Sequence, residues 1–334
     1  MVRGSPAVWT ICLLFFQCGL LLGYTYTHLF ARLLKPSRQV IVHLSFLAAS
    51  LLLLPITPDP GMKPTGGAAP LLGIIKLLLF TVGVPYLLVS TTGPLIQHWY
   101  GLSTKGASPY RLYALSNVGS LLGLQTYPFL FEPNLSLDTQ TSLWSLGYGL
   151  FVVLAGGSAI LVYRSPSPRS SASNSREEAT TTRSRSIDPP LWILLSACGS
   201  ILLLSSTNMM TQDVAVIPFL WVLPLALYLI SFLIAFDSPR CYHRWFWMPL
   251  FLASVPISIL LLNQAHGGEE LDIRIQVTLY SAALFSAVMV CHGELVRIKP
   301  EAKRLTSFYL LVSLGGALGG AFVNLLAPRL FNGF

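Results

Sequence analysis

"SPYRLYALSNVGSLLGLQTYPFLFEP", residues Ser108–Pro133, decides how the whole chain is read. It has the length of a membrane-spanning helix, yet Ser116, Asn117, Gly119, Ser120, Gly123 and Gln125 sit between its leucines. That is too polar for a helix surrounded by lipid and too apolar for a loop. Such a segment suits the interior of a helical bundle, where small residues let backbones approach and amides find partners on neighbouring helices. Pro128 then bends or ends the helix and leaves Glu132 and Pro133 at its outer end.

The rest of the chain supplies the bundle. Of 334 residues 53% are hydrophobic and only 10% charged, and the mean hydropathy is +0.65. A soluble domain carries about 25% charged residues, so this chain has too few to cover a water-facing surface. Ten apolar runs are read as spans: 7–31, 39–56, 70–93, 109–131, 141–163, 190–208, 216–236, 245–263, 272–293 and 305–326. The expected fold is an all-α polytopic membrane protein. The first run continues through "GLLLGYTYTHLFARLLK" to a basic stop, with no small-residue cleavage site, and so reads as a retained span rather than a signal peptide.

Charge orients the spans. Odd-numbered connections hold Arg32, Lys35, Arg38, Lys105, Arg111, Arg164, Arg169, Arg176, Arg183, Arg185, Arg240, Arg244, Arg297, Lys299, Lys303 and Arg304. The N-terminus and even-numbered connections hold only Arg3, Lys63 and Arg274. By the positive-inside rule the N-terminus is outside and every odd connection is cytoplasmic. The expected location is the cell inner (plasma) membrane, crossed several times. The net charge of +8 then follows from topology, with the lipid bilayer rather than nucleic acid as partner. Lys76, just inside the third span, can snorkel to the headgroups.

Residues 164–189, rich in Ser, Arg and Thr, have no apolar periodicity and read as a disordered cytoplasmic linker. It separates two five-helix groups, 1–163 and 190–334. The groups look related: with Ser116 set on Ser313, Gly119 meets Gly316, Ser120 meets Ala317 and Gly123 meets Gly320. Span one also resembles span seven, which makes the repeat six helices long and keeps both copies parallel. In each copy the small residues recur four apart, Ser116/Ser120 and Gly119/Gly123, then Gly315/Gly319 and Gly316/Gly320, the spacing of a helix-packing face.

Four polar residues are candidates for a substrate path. Asn117 and Gln125 carry amides that need partners in hydrocarbon, which interhelical bonding or a solute could supply. Asp213 lies in "STNMMTQDVAVIP", either an aqueous turn or an entry for a cation. Glu294 lies in "CHGELVRIKP", three residues before Arg297, a spacing that forms surface ion pairs. The 5 cysteines show no metal-type spacing, and no HExxH or phosphate-binding glycine loop occurs. No catalytic, cofactor-binding or metal-ligating residue is assigned.

The quoted helix, "FFQCGLLLGYTYTHL", "DVAVIPFLWVLPLALYLISFLIAF" and "CHGELVRIKPEAKRLTSFYLLVSLGGALGGAFVNLLAPRLF", taken in order, resemble a bacterial family. They are similar to the membrane region of fused major-facilitator/spermidine synthase-like proteins, and the likeness covers most of the chain outside the linker. The resemblance implies a transporter-like helical unit, with small-molecule, polyamine-like transport as the expected activity. The alternative it implies is an anchor or scaffold for a spermidine synthase-like aminopropyltransferase domain or neighbouring protein. Two departures stand out. The glycine-rich loop and acidic follower that would bind decarboxylated S-adenosylmethionine are missing, so the chain reads as a short member or the front of a longer one. The major-facilitator signature between spans two and three is replaced by "TPDPGMKPTGG".

Overall fold

The computed structural model describes residues 6–57, 70–103, 109–164, 188–214, 220–266, 272–301 and 304–331. Among these residues it is helical, without strands. The helices are α1 (Pro6–Leu33), α2 (Pro36–Ser50), α3 (Pro70–Leu78), α4 (Val84–Ser103), α5 (Tyr110–Thr126), α6 (Glu132–Asn134) and α7 (Leu137–Arg164), then α8 (Asp188–Asn208), α9 (Val222–Asp237), α10 (Arg244–His266), α11 (Ile273–Arg297), α12 (Leu305–Ala321) and α13 (Ala327–Leu330). The predicted linker falls almost wholly outside the described residues, as does most of "TPDPGMKPTGG".

Within the described residues, each of the ten predicted spans lies on helix. Among the described residues seven stretches are long and apolar enough to cross a membrane: Ile11–Leu33, Pro36–Leu53, Leu72–Gly101, Leu137–Leu161, Pro189–Thr211, Ile273–Arg297 and Leu305–Leu330. Val222–Asp237 and Arg244–Leu260 are apolar but shorter, and α5 is held below the others by its own Ser, Asn and Gly content. The side chains are sorted for lipid. Gln39, His43, Thr91, Thr92, Gln97, Ser231 and His292 are buried, whereas Leu52, Leu137, Leu146 and Leu161 are exposed. Water would drive the opposite arrangement; hydrocarbon permits it. The chain is built as a multi-pass helical membrane protein.

Four helices widen into a π-type turn: Leu79–Gly83, Tyr127–Phe131, Met209–Val214 and Phe322–Leu326. At Tyr127–Phe131 the cause is Pro128, which lacks an N–H and crowds the preceding turn. The α5 and α12 segments share one plan. Each has 17 α-helical residues, then 5 in the wide turn, then a short helical turn with proline in second place, Pro133 or Pro328. This element register sets Ser116 opposite Leu311 rather than Ser313, two residues from the register suggested by the glycines.

Packing divides the chain into two compact units. The first holds α1–α4, α7 and the part of α12 up to Ser313. Here α2, α4 and α7 share a core of Val40, Leu47, Leu88, Leu95, Trp99, Ala155 and Ala159. Polar bonds lock its helices together. Trp99 Nε1 donates to Gln39 Oε1 at 2.8 Å, while Gln39 Nε2 donates to the carbonyls of Phe30 and Leu34. Tyr309 donates to Gln97 at 2.6 Å. α1 meets α4 at Gly19 and Gly23, where an added Cβ would strike Tyr86 and Ser90.

The second unit holds α5, α6, most of α8, α9–α11, the rest of α12 and α13. Its core is an aromatic seam: Tyr113 stands edge-on to Phe232 and Phe236, which stack 4.7 Å apart. That seam explains why α5, which precedes the linker in sequence, groups with helices that follow it. The packing units therefore do not coincide with 1–163 and 190–334. α12 and α8 approach at backbone distance: a Cβ on Gly319 would lie 2.5 Å from the Ala197 carbonyl oxygen, and one on Gly315 would strike Ser196 and the Ile193 carbonyl.

Candidate functional site

The last turns of α11 gather the most chemistry in the second unit. α11 is started by Asp272, whose carboxylate accepts from the Arg274 backbone N–H at 2.7 Å. Toward its other end it is buried on nearly every side, from Leu284 through Val296. Four residues there engage four different neighbours. Cys291 is buried and neighbours Cys198 of α8. His292 Nδ1 lies 2.9 Å from Ser231 Oγ of α9. Gly293 supports the Tyr242 ring, which occupies the place of a side chain. Glu294, beside Gly293, collects charge.

Glu294 accepts from Tyr242 Oη at 2.8 Å, from Arg244 Nε and Nη2 at 2.7 Å each, and from Arg297 Nη1 at 3.2 Å. Its side chain is 15% exposed, against 53% for Arg244 and 51% for Arg297. The Arg244 fork is bidentate, the strongest geometry for a carboxylate. Oε1 takes three of these bonds and Oε2 one, and two guanidiniums already balance the carboxylate's charge before a passing cation could. Burial, with the bond to Glu294, pushes the Tyr242 phenol above its usual range and keeps it a donor. Nearby, Lys299 sits 4.8 Å over the Tyr110 ring, and burial lowers its ammonium from the usual value.

His292 is 1% exposed and enclosed by the rings of Tyr228 and Phe232, 4.7 and 4.2 Å away between centroids. Ser231 also lies 2.8 Å from its own Tyr228 carbonyl. When the single hydroxyl hydrogen goes to that carbonyl, His292 Nδ1 carries the proton that binds Ser231 Oγ, and Nε2 is left as an acceptor. Among the described residues Nε2 has no hydrogen-bond partner. It lies 3.6 Å from where a Cβ on Gly199 would stand. The first unit offers a contrast. His43 uses both nitrogens, Nδ1 at 3.3 Å from Tyr26 Oη and Nε2 at 2.9 Å from Thr92 Oγ1, and is satisfied as a neutral ring.

Of the residues singled out in the sequence, Glu294 stands at the centre of a cluster. Asn117 donates to the Tyr113 carbonyl of its own helix at 3.0 Å, and Gln125 is half-buried on the same helix; neither belongs to the Glu294 group. The Asp213 side chain lies outside the described residues. Among the small residues, Gly315 and Gly319 meet α8, Gly316 is in ordinary contact with Ser200, and Gly320 is buried. Ser116 and Ser120 are exposed, and a Cβ on Gly119 or Gly123 would meet open space.

Sequence reasoning missed the close approach at Gly19 and Gly23, although "CGLLLGY" carries the four-residue spacing. It also missed the roles of His43, Ser231, Gly199 and Arg244; His43 was visible as a lone imidazole inside an apolar run. Among the described residues no group of three or more His, Cys, Asp or Glu could hold a metal ion. The sequence matches no protein-family model and no curated protein.

Proposed function

We propose that this protein is a transporter-like unit of ten spans in two related half-bundles, with its N-terminus outside, and that it carries a small cationic, polyamine-like solute. One observation carries the reading: the buried His292 Nε2, an acceptor between Tyr228 and Phe232 that has no partner among the described residues. Ionisable groups inside membrane helices are expensive and mark solute or proton paths. A lone pair flanked by aromatic faces suits an amine, which offers N–H donors and a cation for the rings. The shared plan of α5 and α12 supports the paired halves, and wide turns in four helices resemble the interrupted helices of transporters.

Purified protein in liposomes should take up labelled spermidine saturably. Because His292 alone would present the acceptor, His292→Phe should lower uptake at least about tenfold, the loss of one hydrogen bond to a charged group, while the similarly buried His43→Phe lowers it less. Uptake that does not saturate across a panel of di- and polyamines, in protein shown to be folded, would remove the reading. The family resemblance favours a second role as membrane anchor for an aminopropyltransferase. Co-purification of such a protein, with flat uptake, would put that role in its place.

A further inference from the structure

We propose that the mouth of the α9–α10 connection binds one anionic phospholipid. A cavity of about 1030 Å³ opens there, with Arg244, Arg297 and His243 on its polar wall and Trp245, Phe246 and Met248 on its apolar wall. The charge balance is uneven. Two guanidiniums share the single Glu294 carboxylate, and the three bonds they make to it leave most of their N–H donors unused. Glu294 therefore fixes the two guanidiniums in place and leaves a surplus positive charge at the rim.

The apolar wall identifies the kind of anion. Trp245 is 93% exposed and Phe246 60%, at the head of a helix whose apolar run continues to Leu260. An indole in that position matches the aromatic belt at the level of lipid headgroups. Basic pockets at helix ends on such a belt recognise anionic headgroups. A free phosphate would satisfy the arginines but leave the aromatic wall unused. A lipid covers both, with its phosphate on Arg244 and Arg297 and its first acyl carbons along Phe246 and Met248.

Native mass spectrometry of the detergent-purified full chain, titrated with phosphatidylglycerol or phosphatidylcholine of matched acyl chains, tests this. One phosphatidylglycerol should be retained with at least a tenfold preference. Trp245→Ala, which removes an exposed ring and leaves the Glu294 cluster intact, should weaken retention about tenfold, as should Arg297→Gln. Equal retention of the two lipids, or retention unchanged in Trp245→Ala, would overturn the proposal. So would displacement of the lipid by millimolar inorganic phosphate, which would make the site one for a free anion.

Discussion

Gly315→Leu is expected to unfold the second unit at a temperature at least about 6 °C below the parent, a loss of about 3 kcal/mol or more. In membranes the hydrophobic effect does not press helices together, so their attraction depends on backbone approach and packing. At Gly315 a first side-chain carbon would already strike the Ser196 hydroxyl and the Ile193 carbonyl, with the Ile193 Cα 3.0 Å away. The obstruction is backbone, which cannot rotate aside as a side chain would. α12 must therefore move off α8, and the contact at Gly319 is lost with it. The control is Gly119→Leu: it adds the same volume where a Cβ meets open space and should leave the midpoint within about 1 °C. Thermal unfolding in nanodiscs, followed by tryptophan fluorescence, reads both. Equal midpoints would show that the α8–α12 approach does not hold the unit together.

Glu294→Gln should lower stability by about 1–2 kcal/mol, a figure reduced because both arginines are half-exposed and screened. The amide keeps one acceptor but turns an NH2 toward groups that can only donate. The Arg244 fork then loses one of its two bonds, and a guanidinium is left facing another without a carboxylate between them. Arg297→Gln should do less, since its one bond is 3.2 Å long and the bidentate Arg244 pair survives. Denaturation at low and high salt checks the ordering. Added salt should shrink the difference between parent and Glu294→Gln; a difference that grows with salt would mean the cluster is not electrostatic.

Where a property depends on one segment and its solvent, the sequence announces it. Apolar runs mark each helix, and the Glu294–Arg297 pair follows from a spacing of three on one helix. Where a property needs two distant segments, the pattern is ambiguous. The four-apart glycines of α5 and α12 look alike in sequence, yet Gly315 and Gly319 meet another backbone while Gly119 and Gly123 face open space. Which face of a helix finds a partner depends on aromatic packing elsewhere, here Tyr113 on Phe232 and Phe236. Arg244 reaches Glu294 across 50 residues of chain, a distance over which no spacing rule operates. Gly293 is unexceptional in sequence and becomes essential only because Tyr242 lies flat against it.

The paired half-bundles stand or fall on how many times the chain crosses the bilayer. Ten spans return the C-terminus to the side of the N-terminus, whereas the seven long apolar stretches alone would leave the ends on opposite faces. Reporters that are active on only one side, alkaline phosphatase outside and green fluorescent protein inside, fused in turn before Met1 and after Phe334, measure this directly. Both ends reporting from the outer face is the predicted result. Ends reporting from opposite faces would contradict it.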